Sequence, residues 1–343
     1  SRYSSISGNS YVDGTMVWGC DYDRITDETT DNLAVSFAFS GTWSGNIRTV
    51  DDGVAFHTII KSGRYGTGRH DYTTGVYVSG RNYGKMEAAS EIIVEGGWIY
   101  NLIGGPASYE NRSTKNEVYI NMKGGQVDYI FGGAGLSETY GNRIISVTGG
   151  QVNYSVFGGS NGSSSTNGGA DGKIKGSSLI YIGGNAIIGD ANLVSSGTSI
   201  FGAEAGSVFG IGNGKSNNES IGSMKESHII IDGGAQVKRN VYGGGNYGYV
   251  GHSSFSTTLS KIDIIGGTVD GAVYGTSSIS SEVQINMTGG QVGYVYGGSR
   301  SKGTVYGSTT VNVTKGRVLH DVYGGGEGGY TDSTRPGTYI RNN

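Results

Sequence analysis

The sequence predicts an all-β chain wound as a single-stranded right-handed parallel β-helix, a β-solenoid of about 8–11 coils with long loops. Three observations carry that expectation: a phrase that keeps returning, apolar residues at period two before it, and an unusual composition. Of 343 residues, 66 are glycine and 2 are proline. No strict Gly-X-Y period runs through the chain, which excludes collagen. Ile, Val and Tyr recur at ordered spacing, which a Gly-rich linker would lack.

The phrase is a short apolar strand, a Gly pair, a polar residue, a Val and then an aromatic residue before a second Gly pair. Its clearest copies are Met122 to Gly133, Val147 to Gly159 and Met287 to Gly298. Looser copies start at Ile231, Ile264 and Val313, and Ile92 to Gly105 is a degenerate first one. Val12 to Gly19 reads as a half-copy matching Val269 to Gly275. The first glycines stand at 96, 124, 149, 183, 233, 266 and 289, followed by Lys315-Gly316, so the steps are 28, 25, 34, 50, 33, 23 and 26. A coil of roughly 20–29 residues accounts for the short steps, and a coil plus a loop for the longer ones. The step of 50 holds either two coils or one long excursion, and Ser207 to Gly210 (SVFG) hints at an extra coil.

Alignment on the Gly pair places Ile92, Ile120, Ile145, Ile229, Ile262, Ile285 and Val311 four residues before it. Val94, Met122, Val147, Ile231, Ile264, Met287 and Val313 stand two before it, with mostly polar residues between. That is period two, one face buried and one solvated. A third column follows the pair: Ile99, Val127, Val152, Val237, Val269, Val292 and Val318. Glycines suit tight corners because they reach positive φ without steric cost. No stretch has helical apolar periodicity. Residues 1–90 read as an irregular N-terminal cap with the first coils, and 91–343 as regular coils with a loop-rich insertion around 189–228. Ser160 to Gly176, Leu193 to Lys225 and Tyr247 to Thr258 read as loops.

Composition narrows the function classes. The formal net charge is −3 and charged residues make up 15 %, so there is no basic face for nucleic acid. A single cysteine, Cys20, rules out an intramolecular disulfide framework. No apolar run is long enough for a membrane span, and the chain reads as part of something larger. The five histidines lack metal-ligand spacing. Asp128, Asp232, Asp263 and Asp270 read as outward but scattered acids, and no catalytic motif is present. The expectation is therefore a non-enzyme.

The candidate binding residues are exposed aromatics. Trp98 occupies a slot held elsewhere by Gln126, Gln151, Gln291, Thr268 and Arg317, a slot that faces water, and Tyr100 is near it. Tyr129, Tyr154 and Tyr294 follow the Val column by two residues, and Trp43 lies in the irregular N-terminal part. Exposed Trp and Tyr mark binding surfaces. A second aromatic column, Phe131, Phe157, Tyr242, Tyr274, Tyr296 and Tyr323, is either a track for sugar rings or packed in a corner; Phe at two of its positions favours packing. The acidic stretch containing Asp21, Asp23 and Asp27 is a weak candidate for Ca²⁺, without the pattern of an EF-hand loop, and no other cofactor is expected.

The GGxV…VYGGG phrase, as in Gly233 to Gly245 and Gly316 to Gly326, resembles the Gly-rich repeats of large bacterial cell-surface and adhesin-like proteins over roughly residues 90–326. The chain also resembles, by that likeness, the tapirins, cellulose-binding surface proteins with a β-helix core. The resemblance implies an extracellular segment of a surface-anchored protein; with the exposed aromatics, the expectation is a non-catalytic adhesin segment that binds a polysaccharide, plant cell wall such as cellulose or host glycan. A purely structural stalk, and a polysaccharide lyase or hydrolase on the same scaffold, stay open as alternatives.

Overall fold

The computed structural model describes residues 15–18, 54–66, 75–78, 89–105, 117–134, 140–161, 174–197, 199–200, 203–214, 224–246, 258–277, 279–280, 282–300, 304–328 and 339–340. Among these the chain is nearly all β, and its strands pair in parallel, apart from one antiparallel contact between Ser199–Ile200 and Ala203–Glu204. The single described helix is the five-residue Ala191–Ser195, started by Asp190, whose carboxylate accepts the amide protons of Asn192 and Leu193.

Three ladders carry the stack, and each traverse of the three adds one level. The first runs through Thr15–Trp18, Val54–Ile60, Ala89–Val94, Val118–Met122, Arg143–Val147, Ser178–Ile182, Ser227–Ile231, Leu259–Ile264 and the leading parts of Glu282–Tyr296 and Thr309–Val318. Ile92, Ile120, Ile145, Ile180, Ile229, Ile262, Ile285 and Val311 lie in direct register on it. In the second ladder Tyr65, Ile99, Val127, Val152, Ile188, Val237, Val269, Val292 and Val318 align. In the third, Val76, Leu102, Ile130, Val156, Val208, Val241, Val273, Val295 and Val322 align. Apart from Val311, Val318 and Val322 at the last level, these aliphatics are buried in one continuous core. Each such side chain contributes roughly 1.5–3 kcal/mol by leaving water.

The glycines serve two purposes. Gly125, the second of its pair, sits at φ 78°, a conformation that side chains disfavour. Gly132, in the second pair, is not at positive φ; a Cβ there would come within 2.4 Å of the Gly158 carbonyl oxygen one level on. It is glycine so that levels can approach closely.

The structure decides the chain's course at four points. The 50-residue step is one level: Val208–Phe209 pairs with Val156 and Phe157 in the third ladder, completing the level that Ser178–Ile182 begins. The excursion lies between the second and third ladders and carries the helix and the antiparallel pair, so the stretch from Leu193 to Lys225 is not simply loop. Thr15–Trp18 pairs with His57–Ile60 in the first ladder, although its sequence matches second- and third-ladder residues. Within 1–90, Val54–Ile60, Arg64–Tyr65 and Val76–Tyr77 occupy all three ladders, so a whole level precedes residue 89.

An arginine lies deep in the stack. Arg143 takes the slot held by Ser90, Ser178, Ser227 and Ser260 on other levels and is fully buried. It donates to the carbonyls of Tyr140 and Asn142. Burial pulls its guanidinium down to about 10, against the opposing charge of Glu117.

Candidate functional site

Three of the six aromatics expected at the surface are buried. Tyr129 is 0 % exposed, Tyr154 2 % and Tyr100 5 %. Tyr129 and Tyr154 stack at 4.7 Å and belong to a second hydrophobic cluster outside the aliphatic core. The excursion folds over this cluster: Ala203 and Ala205 are buried in it, and Leu193 and Val194 pack against it. That cover comes from a level-specific insertion, which repeat alignment treats as a gap. Tyr100 is held under Arg64, whose guanidinium donates to its hydroxyl. Trp98 does point outward and is half-buried, but Arg64 from the preceding level lies 4.6 Å over its ring, and its indole N–H donates to Asp128. Tyr294 is half-buried and stacks on His320 at 4.3 Å. Trp43, Asp21, Asp23 and Asp27 lie outside the described residues.

The aromatic column is packed, on the outside of the third ladder. Phe131, Phe157, Phe209, Tyr242, Tyr274, Tyr296 and Tyr323 stack ring on ring with centroids 4.8–5.0 Å apart. All are buried except Tyr323, which is 45 % exposed at the last level. Where the column changes from Phe to Tyr, a polar clamp meets the hydroxyls. Tyr242 takes a hydrogen bond from Asn240 and one from Arg300, Tyr274 donates to Glu327, and Arg300 pairs with Glu204 at 2.8 Å. Burial pushes Tyr242 up to about 12; Arg300 opposes this and Glu204 adds to it. The clamp ties the excursion to the last levels.

The outward face of the first ladder is open to solvent. Its side chains form a grid three positions wide. From residue 89 onward its rows read Glu91, Ile93, Glu95; Tyr119, Asn121, Lys123; Ile144, Ser146, Thr148; Leu179, Tyr181, Gly183; His228, Ile230, Asp232; Lys261, Asp263, Ile265; Gln284, Asn286, Thr288; Thr310, Asn312, Thr314. Except for Gly183, every position is half-buried or exposed. The middle rows bring Tyr119, Ile144, Leu179, Tyr181 and Ile230 together as an apolar island.

Tyr181 is the distinctive member. A Cβ on Gly183 would lie 2.4 Å from its Cε1 and 2.6 Å from its Cζ, so the ring lies across the backbone where a side chain is missing. Its hydroxyl reaches Asp232 Oδ2 at 3.2 Å, and Asp232 Oδ1 accepts the Gly233 amide proton. Desolvation, then the Asp232 carboxylate, pushes the phenol above its usual range, so it stays a donor. Tyr119 is tethered likewise, donating to Glu117 at 2.8 Å.

Beside the island runs a polar row. Asp263 takes hydrogen bonds from Asn286 at 2.8 Å and Lys261 at 3.0 Å and lies 2.7 Å from His228 Nε2. Burial pushes its carboxyl up, but the Asn286, Lys261 and His228 contacts together outweigh it and hold the group below its ordinary value. Asn312 extends the row by donating to Asn286. The other acids expected outward do not join it: Asp128 is fully buried, bonded to Trp98 and Asn153, and Asp270 pairs with Lys238 at 3.7 Å. Among the described residues no group of three or more His, Cys, Asp and Glu could hold a metal ion, and no helix is long and apolar enough to cross a membrane.

Reasoning from the repeats missed Tyr181 and Tyr119. The signal was present: Tyr181 occupies the slot of Asn121, Ser146, Asp263 and Asn286, and Gly183 supplies the space for its ring. Comparison with family models, curated proteins and solved structures finds no match for this chain.

Proposed function

We propose that the three ladders wind as one right-handed parallel β-helix, and that the chain is a non-catalytic, extracellular binding segment of a bacterial surface protein that holds a polysaccharide on the outward face of the first ladder. The handedness follows from the strong preference of parallel crossovers for that sense. The observation that carries the binding role is Tyr181: an aromatic ring lying over Gly183 on an open sheet, pinned by a carboxylate and flanked by apolar and amide side chains. A pyranose ring presents C–H groups on its face and hydroxyls at its edge, which matches a flat ring with hydrogen-bonding neighbours. The same scaffold also supports a second reading, a structural stalk, because the aromatic column is used internally.

Pull-down of the purified chain on insoluble cellulose, xylan, chitin and mucin tests the proposal. Tyr181→Ala should lose binding by roughly tenfold, in line with the cost of removing one central aromatic contact. Gly183→Ala should do nearly the same by lifting the ring. Trp98→Ala should bind as the parent does. Binding to none of the polymers, or binding unaffected by Tyr181→Ala, overturns the proposal and favours the stalk.

A further inference from the structure

We infer that the polysaccharide taken by this face is an uncharged one, a polymer rich in hydroxyls and free of carboxylate or sulfate groups; the inference rests on the glycan-binding reading above. Tyr119 and Tyr181, on the described part of this face, are each edged by a carboxylate. Tyr119 donates to Glu117 and Tyr181 to Asp232, so a sugar seated on either ring has an acid at its rim. The two rings stand two levels apart, roughly 10 Å, within the span of a few sugar residues.

The charges of the grid point the same way. It carries Glu91, Glu95, Asp232 and Asp263 against Lys123 and Lys261, a formal balance of −4 + 2 = −2 with His228 neutral. Lys261 is engaged by Asp263 at 3.0 Å. Asp263 and its neighbours Asn286 and Asn312 present an amide and carboxylate row suited to hydroxyl groups. Carboxylates accept hydrogen bonds from sugar hydroxyls and repel sugar anions. A polymer carboxylate about 6 Å from Glu117 or Asp232 in a water-like dielectric is disfavoured roughly threefold, and a polymer crossing both rings roughly tenfold. Salt screens such contacts.

Affinity electrophoresis in gels containing xyloglucan, galactomannan, polygalacturonate or alginate reads the preference directly. At low ionic strength the chain should be retarded by a neutral polymer about tenfold more strongly than by polygalacturonate or alginate. Added salt should narrow the gap. The double variant Glu117→Gln/Asp232→Asn should close most of it, while Asp270→Asn, which removes a charge away from this face, should leave the ratio unchanged. Anionic polymers binding as well as neutral ones, or a ratio indifferent to the double variant, overturns this inference and leaves glycan binding standing. Retardation by none of the four, in a gel where the parent and Tyr181→Ala migrate alike, removes both.

Discussion

Phe157→Ala should be among the most damaging single substitutions in the chain, and Tyr323→Ala at the end of the same column a mild one. Phe157 is 0 % exposed and lies between Phe131 and Phe209, each 4.8 Å away. Truncating a buried Phe to Ala costs about 3–5 kcal/mol in lost transfer energy and cavity, and two stacked partners place this site at the upper end. Tyr323 stacks on Tyr296 at 5.0 Å at the last level and is 45 % exposed. With much of its surface open to water, its truncation should cost far less than that of Phe157. Urea titrations followed by far-UV circular dichroism would measure both, with near-UV signals reporting the column separately, because stacked levels need not unfold in one step. Equal losses for the two variants, or a loss below about 1 kcal/mol for Phe157→Ala, would show that the column is not a packed stack.

Other outcomes follow from the same geometry. Replacing residues 190–205 with a short Gly-Ser link should leave the ladders paired, because a Cβ on Gly189 would lie 2.7 Å from Gly206 Cα, so the excursion's two ends already meet. It should also uncover Tyr129 and Tyr154, read as new binding of a hydrophobic dye; no new binding would mean that the excursion is not their cover. Tyr242 has a folded pKa raised to about 12, so it stabilises the fold fully below pH 10 and loses that contribution as pH climbs to 12. The loss is about 2–3 kcal/mol, and Tyr242→Phe should remove that part of the alkaline dependence in a pH series of denaturant midpoints. Asp263 has a lowered folded pKa, so its contribution is complete above pH 3.8 and fades as pH falls further. Asp263→Asn should flatten the acid limb of the same series, and an unchanged limb would contradict the assignment.

Period two and the Gly-pair spacing determined the ladders by themselves, because each level must place like residues over like to close a continuous apolar core. Ile120 under Ile145, or Val127 under Val152, needs only the strand period and the repeat length. The polar clamp was not legible, since Glu204, Arg300 and Glu327 are brought together from separate levels by the excursion and by the segment after Tyr323. Nor was the burial of Tyr129 and Tyr154: alignment of repeats compares what levels share, and the excursion between Ile188 and Val208 that packs into their cluster falls in a gap of that alignment. Trp98 was correctly placed outward by its slot, yet Arg64 from the level before occupies its face, a neighbour set by stacking rather than by sequence proximity. Tyr181 shows the converse. Its slot marks it as outward, but only the stack decided that the ring lies over Gly183 with its hydroxyl on Asp232, because that depends on a missing side chain two residues away and a carboxylate one level on.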